Sequence, residues 1–236
     1  MDGATRKRIL ATVGASMLAT LPLGCTGPVG TTATSMLSKV KESNDPNIRH
    51  MAYAKLGSPK VYDDDSQKIE VAKVLADKLA NGAEPVASRV AICRTLGELG
   101  RPEGRDVILK AINDRDEAEI RTVACRALGR VGKPEDVTVL AQIMVTDPDL
   151  DTRIAAIEGM ASMKTSDPRI DLMLVDGMEH TEPAIRLASL KALQTLSGKD
   201  LGPDPAPWKL YAEERMKSAA PGQSGMSTMP MVKPPR

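Results

Sequence analysis

The side chains of this chain that could do chemistry are few and widely separated. Its only histidines are His50 and His180, and its only cysteines are Cys25, Cys93 and Cys125. A metal site in a protein needs three or four ligands that converge on one point. Two distant histidines and three cysteines do not supply such a set, so we predict no metal, no cofactor and no catalytic residue.

Short catalytic motifs are also missing. The sequence has no G-x-S-x-G nucleophile turn, no G-x-x-x-x-G-K-[ST] phosphate loop and no recognisable Ser/His/Asp set. The acidic run Asp63–Asp65 has calcium-binding residue types, but calcium loops alternate acids with spacers and need a turning Gly and a closing Glu. Because the run precedes a helical pattern, we predict that Asp65 or Ser66 caps that helix.

Arginine recurs along the middle of the chain at a nearly constant interval. Arg89, Arg121, Arg153 and Arg186 are separated by 32, 32 and 33 residues, and Arg49 holds the same place in a degenerate first unit. A fixed period of this size is typical of solenoids, in which each repeat packs only against its neighbours. The sequence therefore predicts a repeat protein.

We interpret these five arginines as a structural ladder, with a ligand-binding stripe as the alternative. An acid stands four positions before four of them, an order that stabilises a helix by about 0.2–0.5 kcal/mol per pair. Those acids are Asp45, Glu117, Asp149 and Glu182. Acids near helix N-termini also interact favourably with the helix dipole. A pattern that recurs in every unit favours a scaffold role.

Each unit reads as a hairpin of two helices. In residues 117–149, apolar side chains recur at i, i+3, i+4, i+7 and i+8 from Ile120 onward, which predicts an amphipathic helix. Gly129 and Gly132 are predicted to end that helix, and Pro134 to open the second one. One hairpin cannot bury both apolar stripes, so the hairpins must stack around a continuous core.

Two of the cysteines are predicted to be core residues. Cys93 and Cys125 each follow a ladder arginine by four residues, which places them on neighbouring equivalent helices. Packed helices lie about 8–10 Å apart, whereas a disulfide needs Cα atoms within about 7 Å. We therefore expect two reduced, buried thiols; redox chemistry or bilin attachment is the alternative.

The A-x-x-A-L-G pattern of the first helices and the short period resemble the HEAT-like repeats first noted in phycobilisome lyases. Residues 197–214, where a Gly/Asp/Pro turn leads to Trp208, resemble the final unit of bacterial HEAT-repeat proteins. The resemblance implies an all-α fold, a right-handed α-α superhelix of about five helical hairpins. Trp208 and Tyr211 would seal its end, with an exposed aromatic patch as the alternative.

The same resemblance does not imply one activity, because members of this fold include lyases, hydroxylases and adaptors. The iron hydroxylases carry repeated His-Glu pairs on several helices. Here a single pair, Glu179 and His180, stands in the reverse order. This departure argues against a hydroxylase site.

Residues 1–24 have the features of an export signal. Arg6–Arg8 is a basic start, and Ile9–Leu23 is a run of 15 uncharged residues, shorter than the roughly 20 needed to span a membrane. The small residue before Cys25 resembles a bacterial lipoprotein signal, which implies cleavage there and acylation of Cys25. Pro22 stands where that family prefers Leu. Ordinary signal-peptidase cleavage and an uncleaved anchor are alternatives.

The chain thus divides into four predicted segments. They are a signal peptide (1–24), a tether with a short leading helix (25–44), a HEAT-like repeat domain (45–217) and a disordered tail (218–236). A net charge of +1 and 2% aromatic residues argue against a nucleic-acid partner, which favours a basic stripe with stacking aromatics.

These features predict a non-catalytic adaptor that binds a protein partner at the bacterial cell envelope. A lipid anchor at Cys25 would hold it on the exported side of the membrane; without the anchor it would be periplasmic or secreted. The second helices should line a concave binding surface. Candidate contact residues there are Asp106, Lys110, Gln142, Asp171 and Asp176. The alternative is a HEAT-fold enzyme or enzyme subunit, of lyase-like or hydroxylase-like type.

Overall fold

The computed structural model describes residues 32–163 and 167–219. These residues form eleven α-helices and three short 3-10 helices, without a strand among them. The helices are α1 (Ala33–Glu42), α2 (Pro46–Leu56), α3 (Asp65–Ala80), α4 (Val86–Leu99), α5 (Arg105–Ile112), α6 (Ala118–Val131), α7 (Val137–Thr146), α8 (Leu150–Ser162), α9 (Arg169–Met178), α10 (Pro183–Ser197) and α11 (Pro205–Ser218). The predicted signal peptide, Cys25 and nearly all of the predicted tail lie outside the described residues.

The predicted all-α solenoid is confirmed. After the leading helix α1, the helices follow one another along the chain as five hairpins, from α2–α3 to α10–α11. The first helices of the hairpins (α2, α4, α6, α8 and α10) stack on one another, and each second helix from α3 to α9 packs on the first helix of the next hairpin. This alternation gives one continuous apolar core from Ala33 to Ala212.

Trp208 closes the last hairpin, as predicted from its position. Its side chain is fully buried, and its Nε1 donates a hydrogen bond to the carbonyl oxygen of Gly202 at 2.8 Å. Tyr211 packs edge-on against it, with the ring centroids 6.1 Å apart. The two aromatic rings therefore serve packing, and they do not form an exposed aromatic patch.

Two predicted helix boundaries are wrong. Asp64, rather than Asp65 or Ser66, caps α3, because its carboxylate accepts the backbone N–H of Gln67 at 2.9 Å. Gly129 does not end α6, which continues through it to Gly132 at the C-cap. Both errors come from neighbouring residues of similar propensity, which local pattern alone does not separate.

Gly129 is needed for a close approach between two first helices. A Cβ at Gly129 would lie 2.4 Å from the carbonyl oxygen of Gly159 in α8, and a Cβ at Gly159 would lie 2.5 Å from that of Cys125 in α6. Real Cβ atoms do not approach an oxygen so closely. The two glycines therefore let the backbones of α6 and α8 come into contact.

We predict that Gly129→Ala destabilises the protein. In an ordinary helix interior this change is stabilising by about 1 kcal/mol. Here the new methyl group would overlap α8, and overpacking of this kind lowers the free energy of unfolding by about 1–3 kcal/mol. Urea unfolding followed by circular dichroism measures the effect. Lys73→Ala, at an exposed position of α3, should change stability little; a gain at position 129 would contradict the close approach.

Candidate functional site

Each of the first three ladder arginines reaches from a first helix to the loop that starts the next hairpin. Arg121 in α6 binds Asp147, which lies between α7 and α8. Its Nε and Nη2 donate to the two carboxylate oxygens at 2.8 and 3.0 Å. Arg49 in α2 forms the same bidentate pair with Glu84, which lies just before α4. Its Nε and Nη2 donate to the two carboxylate oxygens at 2.9 and 3.2 Å. Such bidentate pairs fix geometry as well as charge.

Arg89 forms the corresponding pair with Asp114. The predicted pairs between each arginine and the acid four residues before it are therefore wrong. The physical reason is that those acids stand at helix N-caps. Asp149 accepts the backbone N–H of Thr152 at 2.8 Å, and Asp45 caps α2 in the same manner. The carboxylates of these two aspartates therefore bind backbone N–H groups at helix ends. Glu117 and Glu182 also stand at N-cap positions, but their side chains make no cap hydrogen bond.

Two of the ladder carboxylates, Glu84 and Asp114, have lowered pKa values. Burial alone would raise the pKa of Glu84, but hydrogen bonds from Arg49 and from the Tyr53 hydroxyl (2.9 Å) outweigh it and leave that pKa below its usual value. Burial likewise opposes ionisation of Asp114, and backbone N–H groups together with Arg89 lower its pKa. The Glu84 and Asp114 carboxylates are therefore ionised near neutral pH.

Among the residues that the structure describes, the two later arginines of the ladder have no acidic partner. Arg186 donates through Nη1 to the carbonyl oxygens of His180 and Thr181 at 3.0 and 2.8 Å. Arg153 forms no ion pair and no hydrogen bond through its side chain within residues 32–163 and 167–219, and its Nε is buried without a partner. The repeated pair is thus interrupted in the fourth and fifth units of the ladder.

Four predicted contact residues form a surface that we call the second-helix ridge: Asp106 and Lys110 on α5, Gln142 on α7 and Asp176 on α9. All four are exposed. Lys110, Gln142 and Asp176 each follow by eight residues the proline that precedes their helix, so they occupy one register in successive hairpins. Partial desolvation, and then the neighbouring Glu179 carboxylate, raises the pKa of Asp176.

The fifth predicted contact residue, Asp171, is not on this surface. Only 1% of it is exposed, and its carboxylate accepts a hydrogen bond from Arg215 of α11 at 2.6 Å. Burial raises the pKa of Asp171, and Arg215 offsets this only in part. Its contact ties the last helix to α9. Because Arg215 lies 44 residues downstream, the local sequence pattern does not reveal this contact and predicts an exposed Asp171.

Residues 72–161 match the family model for HEAT repeats. That stretch runs from within α3 to the last turn of α8. The complex of CpcE and CpcF of phycocyanin lyase from Nostoc sp. PCC7120 has a similar structure, with a TM-score of 0.54 and 15% sequence identity. The match covers 76% of this chain and 70% of that chain. At this identity the likeness shows the fold alone. No curated protein matches the chain significantly.

The cysteines of the HEAT-like core are free and fully buried. Cys93 and Cys125 lie on the stacked helices α4 and α6 and form no disulfide. Burial raises the pKa of each thiol to about 12. Because the thiolate is the nucleophile, these two groups are unsuited to redox chemistry or covalent attachment in the folded protein.

A cleft of about 550 Å³ is present beside α2 and α4. The charged side chains in its lining belong to Lys68, Glu98 and Arg130, and Tyr62 donates its hydroxyl to the carbonyl oxygen of Leu56. No histidine or cysteine contributes to the lining. The cleft therefore offers polar contacts to a small ligand.

The described residues also contain neither a cluster of metal ligands nor a membrane-spanning helix. Within 32–163 and 167–219, no three or more His, Cys, Asp or Glu side chains come together in a way that could hold a metal ion. In the same part of the chain, no helix has the length and apolar character required to cross a membrane.

We predict that Arg121→Gln lowers the free energy of unfolding by about 3–5 kcal/mol, because it leaves the Asp147 carboxylate buried without its partner. The matched control is Arg126→Gln, which breaks the exposed pair with Glu158 and should cost at most about 1 kcal/mol. Both values come from urea unfolding. Equal losses for the two variants would contradict a special role of the buried pair.

We also predict that Cys93 and Cys125 resist a thiol reagent. In a Cys25→Ser background, native protein at mildly alkaline pH should give almost no reaction, because both thiols are buried and protonated. The same protein in denaturant should react at both positions. Fast labelling of the native protein would show that the helices open readily or that the thiols are accessible.

Proposed function

We propose that this chain is a non-catalytic adaptor that binds a protein partner through the second-helix ridge. One observation carries the proposal. Three ladder arginines, Arg49, Arg89 and Arg121, are used in ion pairs between hairpins. In contrast, the ridge residues Lys110, Gln142 and Asp176 remain exposed at one register of successive hairpins. Exposed charged positions that are not needed by the fold are available to a partner.

The chemistry of the ridge varies along the solenoid. Its register position is a cation at Lys110, an uncharged amide at Gln142 and an anion at Asp176. The two charges therefore lie two hairpins apart along the solenoid. An extended segment or a helix with the opposite order of charges would be complementary to this surface.

The proposal includes a place at the cell envelope. The basic start, the short apolar run and Cys25 support export and lipid anchoring on the outer side of a membrane. Cys25→Ser should then move the chain from the membrane fraction to the soluble fraction, as read by immunoblot. Unchanged membrane association in that variant would contradict acylation at Cys25.

A second candidate function is a subunit of a lyase-like enzyme. The structural likeness to a complex from a phycocyanin lyase favours it, although a fold by itself does not assign an activity. The absorption spectrum and the metal content of the purified chain separate the two candidates. A bound chromophore or a stoichiometric metal would favour the enzyme subunit, and their absence together with a captured partner would favour the adaptor.

The decisive test of the adaptor is a crosslinking pull-down from membrane extract with the full chain as bait. The double variant Lys110→Glu with Asp176→Lys reverses the ridge charges at constant net charge and should lose the partner. The control, Glu119→Lys with Lys191→Glu, makes the same exchange at exposed positions of the first helices and should retain it. Equal recovery with both variants would contradict binding at the ridge.

A further inference from the structure

The loops that start successive hairpins share one local design. In the loop before α8, Asp147 Oδ1 accepts the backbone N–H of Asp149 at 2.9 Å, while its carboxylate also binds Arg121. In the loop before α6, Asp114 Oδ1 accepts the backbone N–H of Asp116 at 3.1 Å, while its carboxylate binds Arg89. One carboxylate thus both shapes the loop and neutralises the arginine.

The loop before α10 keeps the first of these roles and loses the second. His180 stands two residues before the N-cap Glu182, as Asp147 stands two residues before Asp149. Its Nδ1 accepts the backbone N–H of Glu182 at 3.0 Å. The imidazole therefore shapes the loop as the aspartate does, but it provides no negative charge.

The arginine that belongs to this loop by position is Arg153, 32 residues after Arg121. It lies in α8 at the register from which Arg121 reaches Asp147. Its Nε is buried without a partner, a situation that is costly for a charged donor. The acids that flank the loop, Glu179 and Glu182, form no ion pair with it. The structure thus contains a guanidinium whose usual carboxylate is missing.

We infer that Arg153, whose place in the repeat corresponds to the loop that holds His180, is a receptor for an acidic side chain of the partner protein. This inference rests on the proposed adaptor function and names the chemistry of one contact. A carboxylate is favoured because Glu84, Asp114 and Asp147 fill the equivalent position of the ladder, two of them in the bidentate geometry that a guanidinium and a carboxylate share. The incoming group completes an ion pair that the chain completes for itself elsewhere.

A carboxylate introduced into the chain at position 180 can take the place of the partner's acidic side chain. His180→Asp should restore the internal pair with Arg153 and raise the melting temperature. His180→Asn is the matched control, because its amide oxygen can still accept the N–H of Glu182 but carries no charge. The expected result is a higher melting temperature for the Asp variant than for the Asn variant. Equal melting temperatures would show that position 180 does not face the guanidinium.

A peptide titration tests the receptor directly. The probes are acetylated tetrapeptides of glutamate, of glutamine and of phosphoserine, added to the full-length protein. The readout is the Nε–Hε resonance of Arg153, assigned by its loss in Arg153→Lys. The glutamate peptide should shift this resonance and the glutamine peptide should not. The shift should persist in His180→Asn and disappear in His180→Asp.

Three results would overturn the inference. These are no shift with the glutamate peptide, a shift that persists in His180→Asp, and at least tenfold tighter binding of the phosphoserine peptide, which would make this a phosphate site. The pull-down separates this failure from that of the adaptor itself. A partner recovered equally by wild type, Arg153→Gln and His180→Asp leaves the adaptor intact and removes the receptor.

Discussion

The structure depends on how each hairpin is joined to the next. A two-helix hairpin with two apolar faces cannot bury both alone, so its neighbours must supply the rest of the core. The bidentate pair between an arginine near the start of one first helix and an acid in the loop before the next sets the position of that next helix. Breaking such a pair leaves a charge in a buried place, which is why it couples the two hairpins strongly.

Close contact between first helices is the second part of this coupling. The core is built almost without aromatic rings, and Gly129 and Gly159 bring the backbones of α6 and α8 into contact. Ala, Leu, Ile, Val and Met then fill the space between the two helical layers. The glycine contact between α6 and α8 and the Arg121–Asp147 salt bridge in the loop before α8 therefore both hold adjacent hairpins together. The exposed ridge residues of the second helices, which include Lys110, Gln142 and Asp176, take no part in these contacts between hairpins. The proposed partner surface lies there.

The sequence predicts the repeat and the helices well, because period and amphipathic spacing are local properties. It does not predict the acids that pair with the ladder. Glu84, Asp114 and Asp147 lie 35, 25 and 26 residues after their arginines, so no constant spacing reveals them. The burial of Asp171 was missed for the same reason, since Arg215 approaches from a distant helix. The missing partner of Arg153 is likewise a property of the tertiary structure, because it is defined by the pairs that the other units form.

The central claim is that the arginine–acid pair couples adjacent hairpins, and a double-mutant cycle on Arg121 and Asp147 tests it most directly. The free energies of unfolding of Arg121→Gln, Asp147→Asn and the double variant are compared with that of the wild type. Coupling predicts that the double variant loses less than the two single losses combined, by about 1–3 kcal/mol. If the losses of the two single variants add up to that of the double variant within about 0.5 kcal/mol, the claim is contradicted. The missing carboxylate at Arg153 would then no longer indicate a binding site.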